Sequence, residues 1–319
     1  MDLLQKRQKQ KWQKRLRTIF PPLDKGCTNF SSIDYLNLAT HPHTKAEGVF
    51  YSIKWGSGIL PTRTISSYET CLTETEHLLA NFLGHETVTF YESNPNLFAN
   101  LTKLLEKPLI FAQSLSSKTG EFTEIDDLIS IKKSSNSLLA IDDSLTFSVL
   151  GNHGFGISAQ KEGIDLLLGS FHKRFGSYVS YFACSKELKR ELFEKIPSLH
   201  KERYIPPLYL GMINASIKLI PSMKNERKKL FQLKQILQTT IRKVFLTTNE
   251  SKAPFVPISL SSPFELKNFK FHLADHACIP GTSPSSLLFF PNLSLTEKEI
   301  ANLFLTLSSY KDNLQAEAL

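Results

Sequence analysis

The stretch from Asp165 to Gly176 constrains the fold of this chain more than any other, because an apolar run, a hydroxyl, a lysine and a glycine follow one another without a gap. Leu166-Leu167-Leu168 has strand length, Gly169-Ser170 ends it, and Lys173 stands just before the turn Arg174-Phe175-Gly176. An uninterrupted apolar run reads as a strand buried on both faces, which belongs to a sheet covered by helices. A lysine at the end of such a strand sits close to a low-dielectric interior, and burial lowers its pKa toward neutrality and frees its amine to attack a carbonyl. The plainer alternative is a solvated Lys-Arg pair after a strand, the usual fate of basic residues.

A second apolar run, Leu138-Leu139-Ala140-Ile141, ends in Asp142-Asp143-Ser144. Carboxylates at the C-terminal edge of a sheet stand where α/β proteins place ligands, although a strand-end acid can also be a cap or turn residue. Lys173 follows Asp142 by about thirty residues. A lysine and a carboxylate on neighbouring strand ends make the pair that pyridoxal phosphate (PLP) needs. The amine holds the cofactor as a Schiff base, and the carboxylate keeps the pyridine nitrogen protonated so that the ring draws electrons. Ser170, three residues before Lys173, is placed to donate to the phosphate.

Further segments resemble one family in preserved order. Asn29-Phe30-Ser31-Ser32-Ile33-Asp34-Tyr35-Leu36-Asn37-Leu38-Ala39 is similar to N-F-S-S-N-D-Y-L-G-L-A of the PLP-dependent α-oxoamine synthases, above all their 8-amino-7-oxononanoate synthase branch in biotin synthesis. Gly56-Ser57-Gly58 with Arg63 resembles its G-S-G-G-S-R, Gly151-Asn152-His153-Gly154-Phe155-Gly156 its G-E-x-G-x-G turn, and Tyr204-Ile205-Pro206-Pro207 its P-P before a small-residue helix. Pro280-Gly281-Thr282 resembles the P-x-G-T turn, and Ser117-Lys118-Thr119-Gly120-Glu121 stands where the family has S-M-D-G-D. The resemblance implies PLP-dependent transferase fold type I, with a large mixed-sheet α/β domain, a small α+β domain and a homodimer whose active sites lie at the subunit interface. It implies amino acid and acyl-CoA substrates condensed by a C-acyltransferase. Lys173 would be catalytic, and Asp142, Ser170, Lys173 and Ser117 would bind the cofactor.

The chain departs from the family as well. The expected shortfall lies between Gly84 and Val88, with Val88 to Asn94 resembling a later strand; no S-G-x-x-A-N turn to cradle a phosphate and no histidine to stack on the ring is recognisable. Where the family has D-x-x-H, Asp142 is followed by Asp143, Ser144 and Leu145, and leucine has no hydrogen bond to give. Ser283-Pro284-Ser285-Ser286-Leu287-Leu288 replaces the segment whose arginine clamps the substrate carboxylate. Impaired synthesis is therefore expected. The alternative is a degenerate, non-catalytic paralogue acting as a dimeric binding or scaffold protein.

Composition limits the remaining possibilities. The formal charge of +8 suggests nucleic acid, yet +6 of it falls on residues 1–17, and the other 302 residues carry only +2. Leu3, Leu4, Trp12, Leu16 and Ile19 suit that segment to packing as a solvated helix, so nucleic acid is not expected as a partner. Cys27, Cys71, Cys184 and Cys278 show neither metal-ligand nor disulfide spacing, and no apolar run reaches the roughly eighteen residues of a membrane span. These readings lead to the expectation of a cytoplasmic protein with no metal and no membrane partner. Ser66 to Glu69 and Thr296 to Glu299 have capping-box spacing, Gly84 is placed to end the helix from Leu72 to Leu83, and Ser185 is placed to cap Lys186 to Ile196. The expected domains are residues 1–44, an N-terminal segment on the small domain, residues 45–215, a shortened large domain, and residues 216–319, the small one.

Overall fold

The computed structural model describes residues 27–56, 58, 67–92, 107–171, 177–196, 199, 205–245, 251–260, 262–283 and 285–317. The chain divides into two compact units. One takes residues 33–116 and 121–229; the other takes the residues up to 32, the four residues Ser117–Gly120, and everything from Leu230 onward.

The larger unit is built on a five-stranded sheet among the described residues. In chain order its strands are β2 (Thr87–Glu92), β3 (Leu109–Gln113), β4 (Leu138–Asp142), β5 (Leu166–Ser170) and β6 (Val179–Cys184), arranged β2-β6-β5-β4-β3. β3, β4 and β5 are parallel, while β6 runs antiparallel to both β5 and β2. Leu166-Leu167-Leu168 and all six residues of β6 are buried, as continuous apolar runs require when both faces are covered. One face packs Ala140, Leu166, Leu168, Phe182 and Cys184 against Leu188 and Leu192 of α4 (Lys186–Lys195). Phe90, Phe147, Phe155, Phe171 and Tyr181 form an aromatic cluster joined by tilted and edge-to-face contacts, and Phe82 stacks on Phe155 at 4.2 Å.

The helices before α4 are α1 (Pro42–Trp55), α2 (Ser67–Leu83) and α3 (Ile125–Ser135); α5 (Pro207–Leu219) follows it and packs on α1. Gly84 ends α2 with φ +75°, and the amides of Gly84 and His85 both return to the carbonyl of Ala80. Ser185 caps α4 by accepting from Leu188 N–H at 3.1 Å. β2 follows α2 directly and pairs with β6, so the strand that the family pattern places after this helix is present. Between Gly84 and Val88, where the shortfall was expected, α2 passes directly into β2; residues 93–106, which follow β2, lie outside the described residues. Ser66 and Tyr204 also lie outside them, as do Ser57, Arg63 and residues 1–17.

The smaller unit has a four-stranded sheet among the described residues. Its order is β1-β8-β9-β7, from β1 (Thr28–Phe30), β7 (Val256–Ser259), β8 (Cys278–Ser283) and β9 (Ser286–Phe289). Leu233, Leu237, Ile241 and Val244 of α6 (Lys224–Val244) face this core, with Phe269 and Leu273 of α7 (Pro263–Asp275) and Ile300, Leu303 and Leu307 of α8 (Glu297–Glu317). The capping box of α8 forms as its spacing predicts: Thr296 N–H donates to Glu299 Oε2 at 2.8 Å and Glu299 N–H to Thr296 Oγ1 at 3.3 Å. Pro280-Gly281-Thr282, expected as a turn, instead lies inside β8, pairing with Phe30, Leu288 and Leu287 respectively. The chain turns after Ser283, where β8 folds back into β9.

Candidate functional site

Parallel strands β3, β4 and β5 all finish at one edge of the large sheet, and that edge gathers the polar strand ends. Gln113 lies opposite Asp142, Asp142 opposite Leu168, and Ser170 opposite Ser180. Side chains alternate along a strand, so register also fixes their faces. Ala140, Leu166, Leu168, Phe182 and Cys184 point to the face covered by α4, and alternation carries Asp142, Ser170 and Ser180 to that same face. One oxygen of Asp142 accepts from Ser144 N–H at 2.9 Å, and its backbone carbonyl accepts from Ser114 N–H at 3.0 Å, which pins the strand end.

The adjacent Asp143 turns the other way and is fully buried. Ser114 and Thr146 hydroxyls donate to its Oδ1, and Ser158 N–H donates to Oδ2 at 2.9 Å. Burial pushes its carboxyl above the ordinary carboxylate range, and these donated hydrogen bonds offset only part of the push. Two neighbouring acids thus have separate tasks: Asp143 ties β3, β4 and the following loop together, and Asp142 is left at the edge. Gly151 to Gly156 closes that loop through conformations suited to glycine, with φ of +76°, +85° and +100° at Gly151, Gly154 and Gly156. A Cβ on Gly156 would stand 2.1 Å from Asp143 Oδ2.

Of the four residues expected to form the site, Asp142 and Ser170 reach the same edge and the same face. Lys173 lies outside the described residues; Phe171, the last described residue before it, is buried and its N–H donates to Val179 O at 2.8 Å. Ser117 belongs to the smaller unit, whose Ser251 hydroxyl donates to Gly120 O at 2.6 Å. Sequence reasoning did not single out Gln113 and Ser180. A lone polar residue inside a strand carries no local signal, and only the strand pairing brings these two beside Asp142 and Ser170.

The opposite edge of the same sheet holds a cavity of about 480 Å³, lined by His85, Glu86, Lys107, Leu138, Asp165 and Glu191 among others. Three of its acids are engaged in the scaffold. Asp165 meets Lys132 Nζ and Leu139 N–H, each at 2.7 Å; Glu86 accepts from Lys186 N–H at 2.8 Å; and Glu191 pairs with Lys195 at 2.8 Å. Burial holds the His85 imidazole below its ordinary pKa. Among the described residues no cluster of three or more histidines, cysteines or acids could hold a metal, all four cysteines are free thiols, and no helix is long and apolar enough to cross a membrane.

Residues 69–294 match the family model of class I and II aminotransferases. Among curated proteins, one from Desulfosudis oleivorans named provisionally as an 8-amino-7-oxononanoate synthase is 24% identical over 318 aligned positions, covering 80% of this chain and 82% of its own. The relative therefore carries residues where this chain has gaps. The 8-amino-7-oxononanoate synthase of Gluconacetobacter diazotrophicus is 21% identical, covering 77% and 79%. The Francisella tularensis 8-amino-7-oxononanoate synthase structure matches with TM-score 0.72 at 17% identity, covering 92% of this chain and 99% of that one. A serine palmitoyltransferase from Sphingomonas wittichii matches with TM-score 0.75 at 13% identity, covering 91% and 88%. The fold is thus that of type I PLP-dependent transferases, an α/β architecture on a mixed sheet.

Proposed function

Because the chain belongs to the family of class I and II aminotransferases, we propose that it is a PLP-dependent C-acyltransferase that condenses an amino acid with an acyl-CoA, at a rate well below that of its longer relatives. The observation that carries this reading is the shared face of Asp142, at the end of β4, and Ser170, at the end of β5 three residues before Lys173 in sequence. The donor set fits the cofactor: a carboxylate for the ring nitrogen, hydroxyls for the phosphate and an amine for the aldehyde. When bound, PLP supplies an electron sink for the α-carbon of the amino acid. Asp142 holds a proton at the pyridine nitrogen, with its own carboxylate oriented by Ser144 N–H. Lys173 carries the cofactor and moves the α-proton, and Ser170 donates to the phosphate.

The reduced rate has a stated cause in the same residues. Leu145 offers no hydrogen bond where the family pattern has histidine, and Ser283 to Leu288 contains no arginine to clamp a substrate carboxylate. Losing one buried charged partner costs about 2–5 kcal/mol, or roughly one to four orders of magnitude. A homodimer is part of the proposal, as are the cytoplasm as its location and biotin synthesis as its setting. The alternative, a non-catalytic dimer of the same fold, is favoured by those same two departures.

The test is borohydride reduction after PLP loading, followed by peptide mass spectrometry and by release of free CoA from pimeloyl-CoA plus alanine. A covalent adduct is expected at Lys173 and absent in Lys173→Ala, with CoA release far below about 1 per second. An adduct at another lysine would overturn the assignment, an adduct without turnover would select the non-catalytic dimer, and turnover at about 1 per second or faster would refute the impairment.

A further inference from the structure

Ser180 pairs with Ser170 across the β5–β6 ladder, and nothing in its sequence neighbourhood marks it as functional. The hydrogen bond from Phe171 N–H to Val179 O makes Phe171 and Val179 a bonded pair. Bonded and non-bonded pairs alternate in an antiparallel ladder, so Ser170 and Ser180 form a non-bonded pair, the kind whose side chains stand closer. Their Cβ atoms are then about 4.5–5.5 Å apart on one face, a spacing that lets two hydroxyls donate to a single tetrahedral anion.

Position along the sheet distinguishes this pair from an ordinary polar contact. Ser170 is half-buried at the strand end, and Ser180 is 7% exposed. Tyr91, which lies opposite Ser180 on the other side of β6, is 1% exposed and tilts against Phe182 at 5.9 Å, so apolar surface closes the row beyond Ser180. A hydroxyl in such a water-poor position interacts more strongly with an anion than one in bulk water. The chain also continues from this pair into His172-Lys173-Arg174, a basic run in sequence.

We propose that Ser180 and Ser170 form a paired-hydroxyl site for a phosphate monoester, with Ser180 as the second phosphate donor. The proposal deepens the function proposed above and rests on it for the identity of the ester as PLP. Nothing about the reaction itself is required, because the two hydroxyls bind and orient the phosphate and take no part in bond making.

The experiment compares PLP with pyridoxal, which lacks the phosphate, by absorbance titration of the full chain and of Ser180→Ala and Ser180→Thr. Loss of one hydrogen bond to a charged acceptor should weaken PLP about ten- to a hundredfold in Ser180→Ala, leave pyridoxal unchanged, and be rescued by Ser180→Thr. An unchanged PLP affinity, or equal weakening of PLP and pyridoxal, would overturn the proposal. Inorganic phosphate provides an arm that does not depend on the cofactor: it should raise the melting temperature of the unsubstituted chain saturably and that of Ser180→Ala much less. If the chain takes up no PLP, the functional reading fails by itself and this phosphate arm alone decides the role of Ser180. Ser180→Cys, which keeps the volume but donates weakly, replaces Ser180→Ala if that variant does not fold.

Discussion

Asp143 carries a structural task that its neighbour cannot share. It ends three donated hydrogen bonds from Ser114, Thr146 and Ser158 in a fully buried position, so removing its carboxyl leaves donors without acceptors. Asp143→Ala is expected to cost about 2–4 kcal/mol in urea unfolding, and Asp143→Asn, which keeps one acceptor oxygen, about 1–2 kcal/mol. The pH dependence has a definite sign. Burial raises the folded-state pKa above the unfolded value of about 3.9, so the stability this acid contributes is present below that value and is lost as pH rises through the folded pKa. The cost of Asp143→Asn should therefore shrink between pH 4 and pH 7; a cost that grows over this range would show that the donors outweigh burial. In sequence, Asp142 and Asp143 are two equivalent acids after an apolar run. Strand alternation separates them, and that needs the exact strand end. Ser180 was illegible for a related reason, since its partner is another strand and not a neighbour in the chain.

Local elements were easier to read than their partners. The capping box of α8, the Ser185 cap of α4 and the glycine stop of α2 are all short-range signals, and the structure contains each of them. Pro280-Gly281-Thr282 misled because proline and glycine are the commonest turn residues. The partner that makes this segment a strand, β1, pairs Thr28 with Cys278, 250 positions away. Asn37 shows the opposite case. It has φ +54°, the left-handed region that favours glycine and asparagine, and it stands where the family pattern has glycine. The loop after β4 gives the sharpest test of such constraints. Gly156→Ala combines φ +100° with a Cβ 2.1 Å from Asp143 Oδ2 and should cost about 3–5 kcal/mol, whereas Gly58→Ala, with nothing within 4 Å of its Cβ, should stay within about 0.5 kcal/mol of the unsubstituted protein. Equal urea midpoints for the two variants would remove the loop from the account of the site.

The assembly and the two units belong to the largest scale. α1 exposes Val49 and Phe50 at 53% each and Ile53 at 80%, a short apolar stretch on one helix. As the proposed dimer surface, it predicts that the unsubstituted chain elutes at twice the monomer mass in light scattering and that Ile53→Glu with Phe50→Glu elutes at the monomer mass, with unchanged circular dichroism; a dimer surviving both substitutions would place the interface elsewhere. The α/β class was legible from apolar strands alternating with amphipathic helices. The brief excursion of Ser117–Gly120 into the smaller unit was not, because nothing in four polar residues tells which core they join. The pairing of β1 with β8 reaches beyond stability. A chain emerging from the ribosome presents Thr28 to Phe30 long before Cys278 exists, so the smaller unit cannot finish its sheet until some 250 further residues have been made. Over that interval β1 has an unpaired edge, which makes this segment a natural client for a chaperone and exposes it to proteolysis in any chain released early.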